Sequence, residues 1–352
     1  MTDDSAGPRR ICLIRLSSIG DVCHTVAVVQ AIQRRYPESR LTWIIGGREA
    51  ELVEGLPGVE FIVVDKDAGP GAIGRLRRAL RGRRFDVLLH MQTSLRASLM
   101  SLGVRSPVRI GFDRARAREA QWLFTNRRIA PEAHAHVLDG FKAFAAALGV
   151  PDFEPSWDIP VSRQDREWAK SVLPEGRPVF GIVPAASHPE RNWTVEGYAA
   201  LASHALDSEF RVALFGGPSA IEAQLGEHIL ARLNRPLVNL IGRTSLKQLL
   251  ALLGRTRLLL APDTGPAHMA VTRGVAVIGL YCHSNPRRTG PYSCLPYVVN
   301  HYDWLVREHY GVGWEERPWG TRIKGPDLMA GIAVGEVTEM FDRVVAERAL
   351  LS

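Results

Sequence analysis

Apolar runs of strand length alternate with amphipathic helical patterns along almost the whole chain. Ile11-Cys12-Leu13-Ile14-Arg15-Leu16 is nearly continuous in apolar residues, as expected of a strand buried on both faces. From Asp21 to Tyr36, Val22, Val26, Val29, Ile32 and Tyr36 recur at steps of three and four, which predicts one buried helix face. Strand patterns follow at residues 41–45, closed by Gly46-Gly47, then at 61–64 and 86–89. Strands interleaved with helices imply right-handed crossovers, and hence a parallel sheet covered on both sides.

The pattern breaks near the middle. Pro151, Pro155, Pro160 and Pro174 bracket a stretch with Asp152, Glu154 and Asp158, poor material for helix or sheet, so residues near 150–165 read as a linker. The alternation then restarts, with strands at 179–183, 212–215, 237–240, 258–260 and 275–280. Helices begin between them at Thr194, Ser219, Ser245 and Thr264. The expectation is an α/β protein of two doubly wound, Rossmann-like halves, residues 1–160 and 161–330, facing each other across a cleft. Residues 331–352 carry a last helical pattern, with Val337, Phe341, Val344, Val345 and Leu350 on one face, expected to pack across both halves. A length of 352 residues suits two domains, and no repeat of 20–50 residues suggests a solenoid.

Composition adds little until charge is divided along the chain. Hydrophobic residues at 46% and charged residues at 23% are ordinary for a globular protein. No apolar run approaches the ~20 residues of a membrane span. The start lacks a basic segment followed by an apolar one, so no secretory signal is expected. The four cysteines have no metal or disulfide spacing and read as reduced thiols of a cytosolic protein. The net charge of +7 invites a nucleic-acid partner. Residues 71–130, however, hold 14 Arg against Asp86, Asp113 and Glu119, a net +11, so the rest of the chain sums to −4. Only five of the 44 cations are Lys; these are guanidinium heads suited to phosphate or carboxylate.

Candidate chemistry gathers where strands give way to helices, the edge at which parallel α/β sheets carry their sites. Ser17-Ser18-Ile19-Gly20-Asp21 follows the first strand. Its small residues admit a ligand to the backbone, and Asp21 is either a helix cap or a catalytic acid–base group. Pro262-Asp263-Thr264-Gly265-Pro266-Ala267-His268 follows a buried strand, where amides at Thr264 and Gly265 can meet an anion. Asn285-Pro286-Arg287-Arg288-Thr289-Gly290 brings two cations to the next junction. The segment from Pro184 to Trp193 and the Gly216-Gly217-Pro218-Ser219 turn add two more walls.

Other patterns carry less. Asp65-Lys66-Asp67 has the form of a metal-binding Asp-x-Asp but reads as a solvated turn. His134-x-His136 lacks further ligands at zinc spacing. Neither GxSxG nor GxxxxGK[ST] is present, which argues against an α/β-hydrolase or a P-loop ATPase. The cluster of Trp304, Trp314 and Trp319 within 300–325 has no reading at this level.

The blocks Ser17 to Val22, Asp263 to His268 and Asn285 to Tyr292, in this order and spacing, resemble those of glycosyltransferase family 9, the ADP-heptose:lipopolysaccharide heptosyltransferases. The resemblance covers nearly the whole chain. It implies a GT-B fold, with the acceptor on the first half, the nucleotide-sugar on the second, and inversion without a catalytic metal or other cofactor. By the same resemblance Asp21 is the general base. Thr264 and Gly265 hold the donor phosphates, Asp263 contacts the sugar, and His268 sits in the donor site. Arg191, before Asn192-Trp193, stands where many members have Lys. Gly242 and Thr244 border the nucleobase. Ser219 stands where members often have the acid that holds the ribose.

The expected activity is therefore transfer of heptose from ADP-heptose to the lipopolysaccharide inner core, onto Kdo or the first heptose of lipid A-core. Ser17, Ser18, Gly20, Arg287 and Arg288 are candidate phosphate contacts; Arg75, Arg78, Arg109 and Arg114 are candidates for the glycolipid acceptor. The expected place is the cytoplasmic face of the inner membrane, peripherally bound, with no nucleic acid. Two alternatives stand beside it. One is a related transferase with another nucleotide-sugar or another acceptor; the other is a nucleic-acid-binding protein, which lacks any recognised binding motif.

Overall fold

The computed structural model describes residues 7–65 and 69–351. The chain divides into two compact units, the first ending at Pro160 and the second starting at Val161. The first holds β1 (Arg10–Ile14), α1 (Ile19–Arg35), β2 (Arg40–Gly46), α2 (Gly47–Val53), β3 (Val59–Val64), α3 (Pro70–Ala79), β4 (Val87–His90), α4 (Leu95–Ser101), β5 (Val108–Gly111), β6 (Arg127–Arg128) and α5 (Val137–Ala146). Its six strands are all parallel, in the order β3-β2-β1-β4-β5-β6. β1 lies at the centre, with Leu13 in register with Trp43 on one side and Leu89 on the other. Burial from Ile11 to Ile14 explains the unbroken apolar run.

The second unit runs α6 (Arg163–Val172), β7 (Val179–Ile182), α7 (Val195–Asp207), β8 (Arg211–Leu214), α8 (Ala220–Leu233), β9 (Val238–Asn239), α9 (Leu246–Leu253), β10 (Leu258–Pro262), α10 (Gly265–Val271), β11 (Ala276–Tyr281), α11 (Pro286–Thr289), β12 (Val298–Asn300), α12 (Tyr302–Tyr310) and α13 (Val334–Glu347). Its parallel sheet has the order β12-β11-β10-β7-β8-β9. Helix α13 packs on α7, β11 and β12 of this unit. Its Phe341 is buried edge-on to Phe180 and Phe210.

The proline-rich stretch before Val161 has no helix or strand, but it is pinned to α1. Trp157 Nε1 donates to Cys23 O at 2.8 Å, and Gln30 bonds both the N–H and the carbonyl of Asp158. The tryptophan segment also finds a purpose: Trp314 lies under the Arg287 guanidinium and beside Trp319. All four cysteines are buried and unbridged, and burial pushes their thiols upward, so none is poised as a nucleophile.

One polar knot inside the first unit fixes two outer elements. His90, at the end of β4, is fully buried; its Nε2 lies 3.2 Å from Ser98 Oγ on α4. Its Nδ1 lies 3.2 Å from Gln121 Nε2, which donates to the carbonyls of His90 and Gln92. Burial, assisted by the nearby Arg109 charge, lowers the imidazole to about 3, so it is neutral in the fold. The unfolded chain therefore takes up this proton first, near the ordinary histidine value of ~6.5. Stability is undiminished above that pH and is lost as pH falls from ~6.5 toward 3, by up to ~1.4 kcal/mol per pH unit. Urea unfolding at pH 7, 6, 5 and 4 checks this: His90→Gln should flatten the decline, and parallel profiles would refute it.

Candidate functional site

In the first unit the β1–α1 junction holds Asp21 in place. Ser18 is the N-cap of α1 and Asp21 its third residue. Asp21 Oδ2 accepts from the Ser18 N–H at 3.2 Å and from Ser18 Oγ at 3.0 Å, and it pairs with Arg15. Arg15 is itself held, with Nη1 donating to Met91 O at 2.6 Å and the guanidinium stacked 5.0 Å from the Phe141 ring centroid. Its Nε is buried without a hydrogen-bond partner. A strand, a helix cap and the end of β4 thus converge on one partly exposed carboxylate. Gln92 closes the turn, accepting from Leu16 N–H and approaching Ser17 Oγ.

This geometry corrects part of the sequence reading. The Ser18 N–H and hydroxyl face a carboxylate, and Ser17 faces Gln92, so neither is turned to a phosphate. Gly20 is buried in the first turn of α1. Arg15, passed over as a strand residue, belongs to the site; the signal was a lone charge interrupting the apolar run two positions before the serines.

Arg109 also departs from expectation. Its guanidinium donates to Phe124 O (2.7 Å), Val104 O (3.0 Å), Ser101 O (2.9 Å) and Ser101 Oγ (2.7 Å). A cation spent on backbone carbonyls is a clamp, not an acceptor contact. Arg75 and Arg78 stand exposed on α3, whose buried side is Ala72, Leu76 and Leu80, and Arg114 is exposed.

In the second unit the loops after β7, β10 and β11 meet. Arg191 Nη1 donates to Asp263 O at 3.2 Å and lies 3.8 Å from Asp263 Oδ2. Oδ2 also accepts from Ser284 Oγ at 2.7 Å and Thr289 Oγ1 at 3.4 Å. Arg191 Nε is buried with no hydrogen-bond partner, a cationic donor left over at the cluster. Burial, then the Arg191 charge, holds neighbouring His283 below the usual histidine range. Thr264 caps α10 with no side-chain bond, Gly265 opens the helix, and His268 is buried one turn further on. Arg287 does not join this group: it forms a two-pronged pair with Asp303, both contacts 2.8 Å, over the Trp314 ring. Arg288 is half-buried beside it.

At the same carboxyl edge, the turns after β8 and β9 lock together. Gly242 N–H donates to Gly216 O at 3.1 Å. Gly242 has φ +71°, and a Cβ there would meet Pro218 Cα at 3.3 Å, so glycine is required. Thr244 lies two residues on, half-buried before α9. Ser219 caps α8, accepting from Glu222 N–H at 3.2 Å. Glu222 returns its carboxylate to the Gly-Gly-Pro turn, accepting from Gly217 N–H and Ser219 Oγ at 2.7 Å each. A carboxylate thus stands at this turn from position 222, one helical turn after Ser219. The Ser-x-x-Glu spacing was the available signal.

Among the described residues no group of three or more His, Cys, Asp or Glu side chains is placed to hold a metal. Lys66 and Asp67 of the Asp-x-Asp pattern lie outside the described residues, and Asp65 is exposed. His136 instead caps α5, accepting from Leu138 N–H.

The chain is 43% identical over 330 residues to the lipopolysaccharide core heptosyltransferase OpsX of Haemophilus influenzae, covering 94% of this chain and 95% of that one. It is 27% identical to lipopolysaccharide heptosyltransferase 2 of Escherichia coli K12, over 81% and 86% of the two chains. Among solved structures it resembles a family 9 glycosyltransferase from Veillonella parvula, with TM-score 0.79, 20% identity and coverage of 96% and 97%. It likewise resembles E. coli ADP-heptose heptosyltransferase II, with TM-score 0.73, 22% identity and coverage of 97% and 99%. The two parallel-sheet units are those of the GT-B fold. Residues 73–303 match the model of glycosyltransferase family 9 (heptosyltransferase), and with these relatives that match shows that the chain belongs to this family of glycosyltransferases.

Proposed function

We propose that this glycosyltransferase moves heptose from ADP-heptose onto the inner core of lipopolysaccharide, with Asp21 as general base. The observation that carries the reading is Asp21 itself: a carboxylate oriented by Arg15 and Ser18 at the carboxyl edge of β1. In an inverting transfer such a group takes the proton of the attacking acceptor hydroxyl, a contribution of ~10²–10⁴-fold. The departing diphosphate gathers negative charge, and Arg191 with the Thr264–Gly265 helix start supplies the compensating positive end. Asp263 orients Arg191 and is proposed to reach the sugar. The Glu222 carboxylate suits the ribose diol, with the Gly242–Thr244 turn beside the base. The charge of Arg191 supports a reaction without a divalent ion. The acceptor is lipid-borne, so the enzyme is proposed to work peripherally at the cytoplasmic face of the inner membrane, the exposed arginines of α3 and Arg114 meeting acceptor phosphates.

Transfer to a lipid A–Kdo acceptor, with ADP-heptose compared against UDP- and GDP-sugars, tests the activity. ADP-heptose should support turnover that EDTA leaves intact, and it should raise the melting temperature where duplex DNA does not. Asp21→Asn should lower kcat by ~10²–10⁴-fold with donor binding retained. Arg15→Lys should lower kcat by a smaller factor without changing donor KM. A near-normal rate for Asp21→Asn would remove the base assignment.

The donor half makes a separate prediction. Arg191→Gln should cost ~10²–10³-fold in kcat/KM for ADP-heptose, as expected when one oxyanion-stabilising donor is lost. Glu222→Ala should raise donor KM and abolish the wild-type preference for ADP-heptose over its 2′-deoxyribose analogue. An unchanged preference would place the ribose elsewhere.

A further inference from the structure

Ten large apolar side chains stand exposed among the described residues, and five of them lie on two neighbouring elements of the first unit. Helix α4 buries Ala97, Ser98, Met100 and Ser101; its other side presents Leu95, Arg96, Leu99 and, at the C-cap, Leu102. These leucines are 47%, 38% and 53% exposed. The short helical turn at residues 121–123 buries Gln121 and presents Trp122 and Leu123, 51% and 66% exposed. Three ties bind the two elements together from behind. His90 meets Ser98 and Gln121, Arg109 joins Ser101 to Phe124, and Glu119 Oε2 accepts from Leu95 N–H at 2.6 Å. Polar groups, His90, Ser98, Ser101 and Gln121 buried among them, hold an apolar face outward.

The surrounding charge is of one sign. Residues 95–128 contain eight Arg and two acids. Of those acids, Asp113 is buried against Arg116, and Glu119 is engaged by the start of α4. Arg118, Arg127 and Arg128 are exposed around the turn. Leucine and tryptophan rimmed by arginine is the composition that settles at the headgroup level of an anionic bilayer. A second copy of the chain is a poor occupant, because a two-fold contact would set this arginine rim against itself.

We infer that the outer face of α4 and the Trp122–Leu123 turn is a membrane-docking surface for anionic phospholipid. It deepens the proposed function and rests on its lipid-borne acceptor only for the purpose of the docking, not for the binding itself.

Sedimentation with vesicles free of acceptor and donor tests it directly. The full chain should partition at least tenfold more strongly to vesicles of 70% phosphatidylcholine and 30% phosphatidylglycerol than to pure phosphatidylcholine, and salt should weaken the binding. The double substitution Leu99→Ser, Trp122→Ser should lower partitioning at least tenfold. It should also slow transfer to vesicle-embedded acceptor, while turnover on a deacylated, water-soluble acceptor stays within twofold. Trp122→Ser alone changes only an exposed side chain and should show part of the loss with an unchanged melting temperature. Equal partitioning of wild type and both variants would overturn the docking surface. So would a wild-type dimer that Leu99→Ser dissociates, which would make the face a subunit contact. Vesicle binding with no turnover on either acceptor would instead refute the transferase reading and leave the docking surface standing.

Discussion

Parallel strand pairing is the constraint from which both sites follow. Within each sheet every strand runs parallel to its neighbours, so the strand-to-helix junctions of that unit open at one edge of its sheet. There a strand's last carbonyls, a helix's first N–H groups and a short loop meet, and polar side chains can converge without breaking the core. Asp21, Arg191, Glu222, Gly242 and Asp263 all stand at such junctions. At the opposite edge of the second sheet two arginines are tied to the chain itself: Arg255 bonds Leu173 O and Arg211 bonds Pro174 O.

The arginines divide by what their guanidinium meets. Arg15, Arg109, Arg116 and Arg287 are absorbed by carboxylates, carbonyls or rings, where five fixed donors organise several segments at once. Those of α3 lie on the side away from Leu76 and Leu80 and remain in solvent. Sequence counting gives both kinds the same weight. The excess of positive charge in residues 71–130 is therefore partly structural, and only the exposed fraction is available to a phosphate or a membrane. That distinction moves Arg109 from a ligand contact to the clamp behind α4.

Much of the fold was legible because buried parallel strands are written as apolar runs. The central strands β1, β7, β10 and β11 lie within a residue or two of the expected positions. What escaped was short or disguised. β5 is only Val108–Gly111 and includes Arg109, whose charge hides its place in the sheet until its four acceptors are seen. β6 is two exposed arginines at an edge, and β12 is three residues in a segment without periodicity. The proline-rich linker was legible as irregular chain, but its attachment to α1 through Trp157 and Gln30 depends on contacts more than 120 residues apart. The sites show the same limit. Residue types at the junctions were visible, whereas the pairings Arg15 with Asp21, Arg191 with Asp263 and Glu222 with Gly217 needed three dimensions.

Asp21 brings these threads together. Sequence alone poses capping and catalysis as alternatives for this residue, since an acid in the first turn satisfies the positive helix end in either case. In the fold the two roles are compatible, because the bond from Ser18 N–H that belongs to the cap also orients the carboxylate. A capping aspartate needs no guanidinium, however. Here Arg15 leaves its strand to pair with Asp21 while its Nε stays buried and unsatisfied, an expense that capping does not explain. A carboxylate held from the helix side by Ser18 and from the strand side by Arg15 has little freedom to turn. That fixed orientation suits the general base proposed for this residue, which must be aligned before an acceptor hydroxyl arrives.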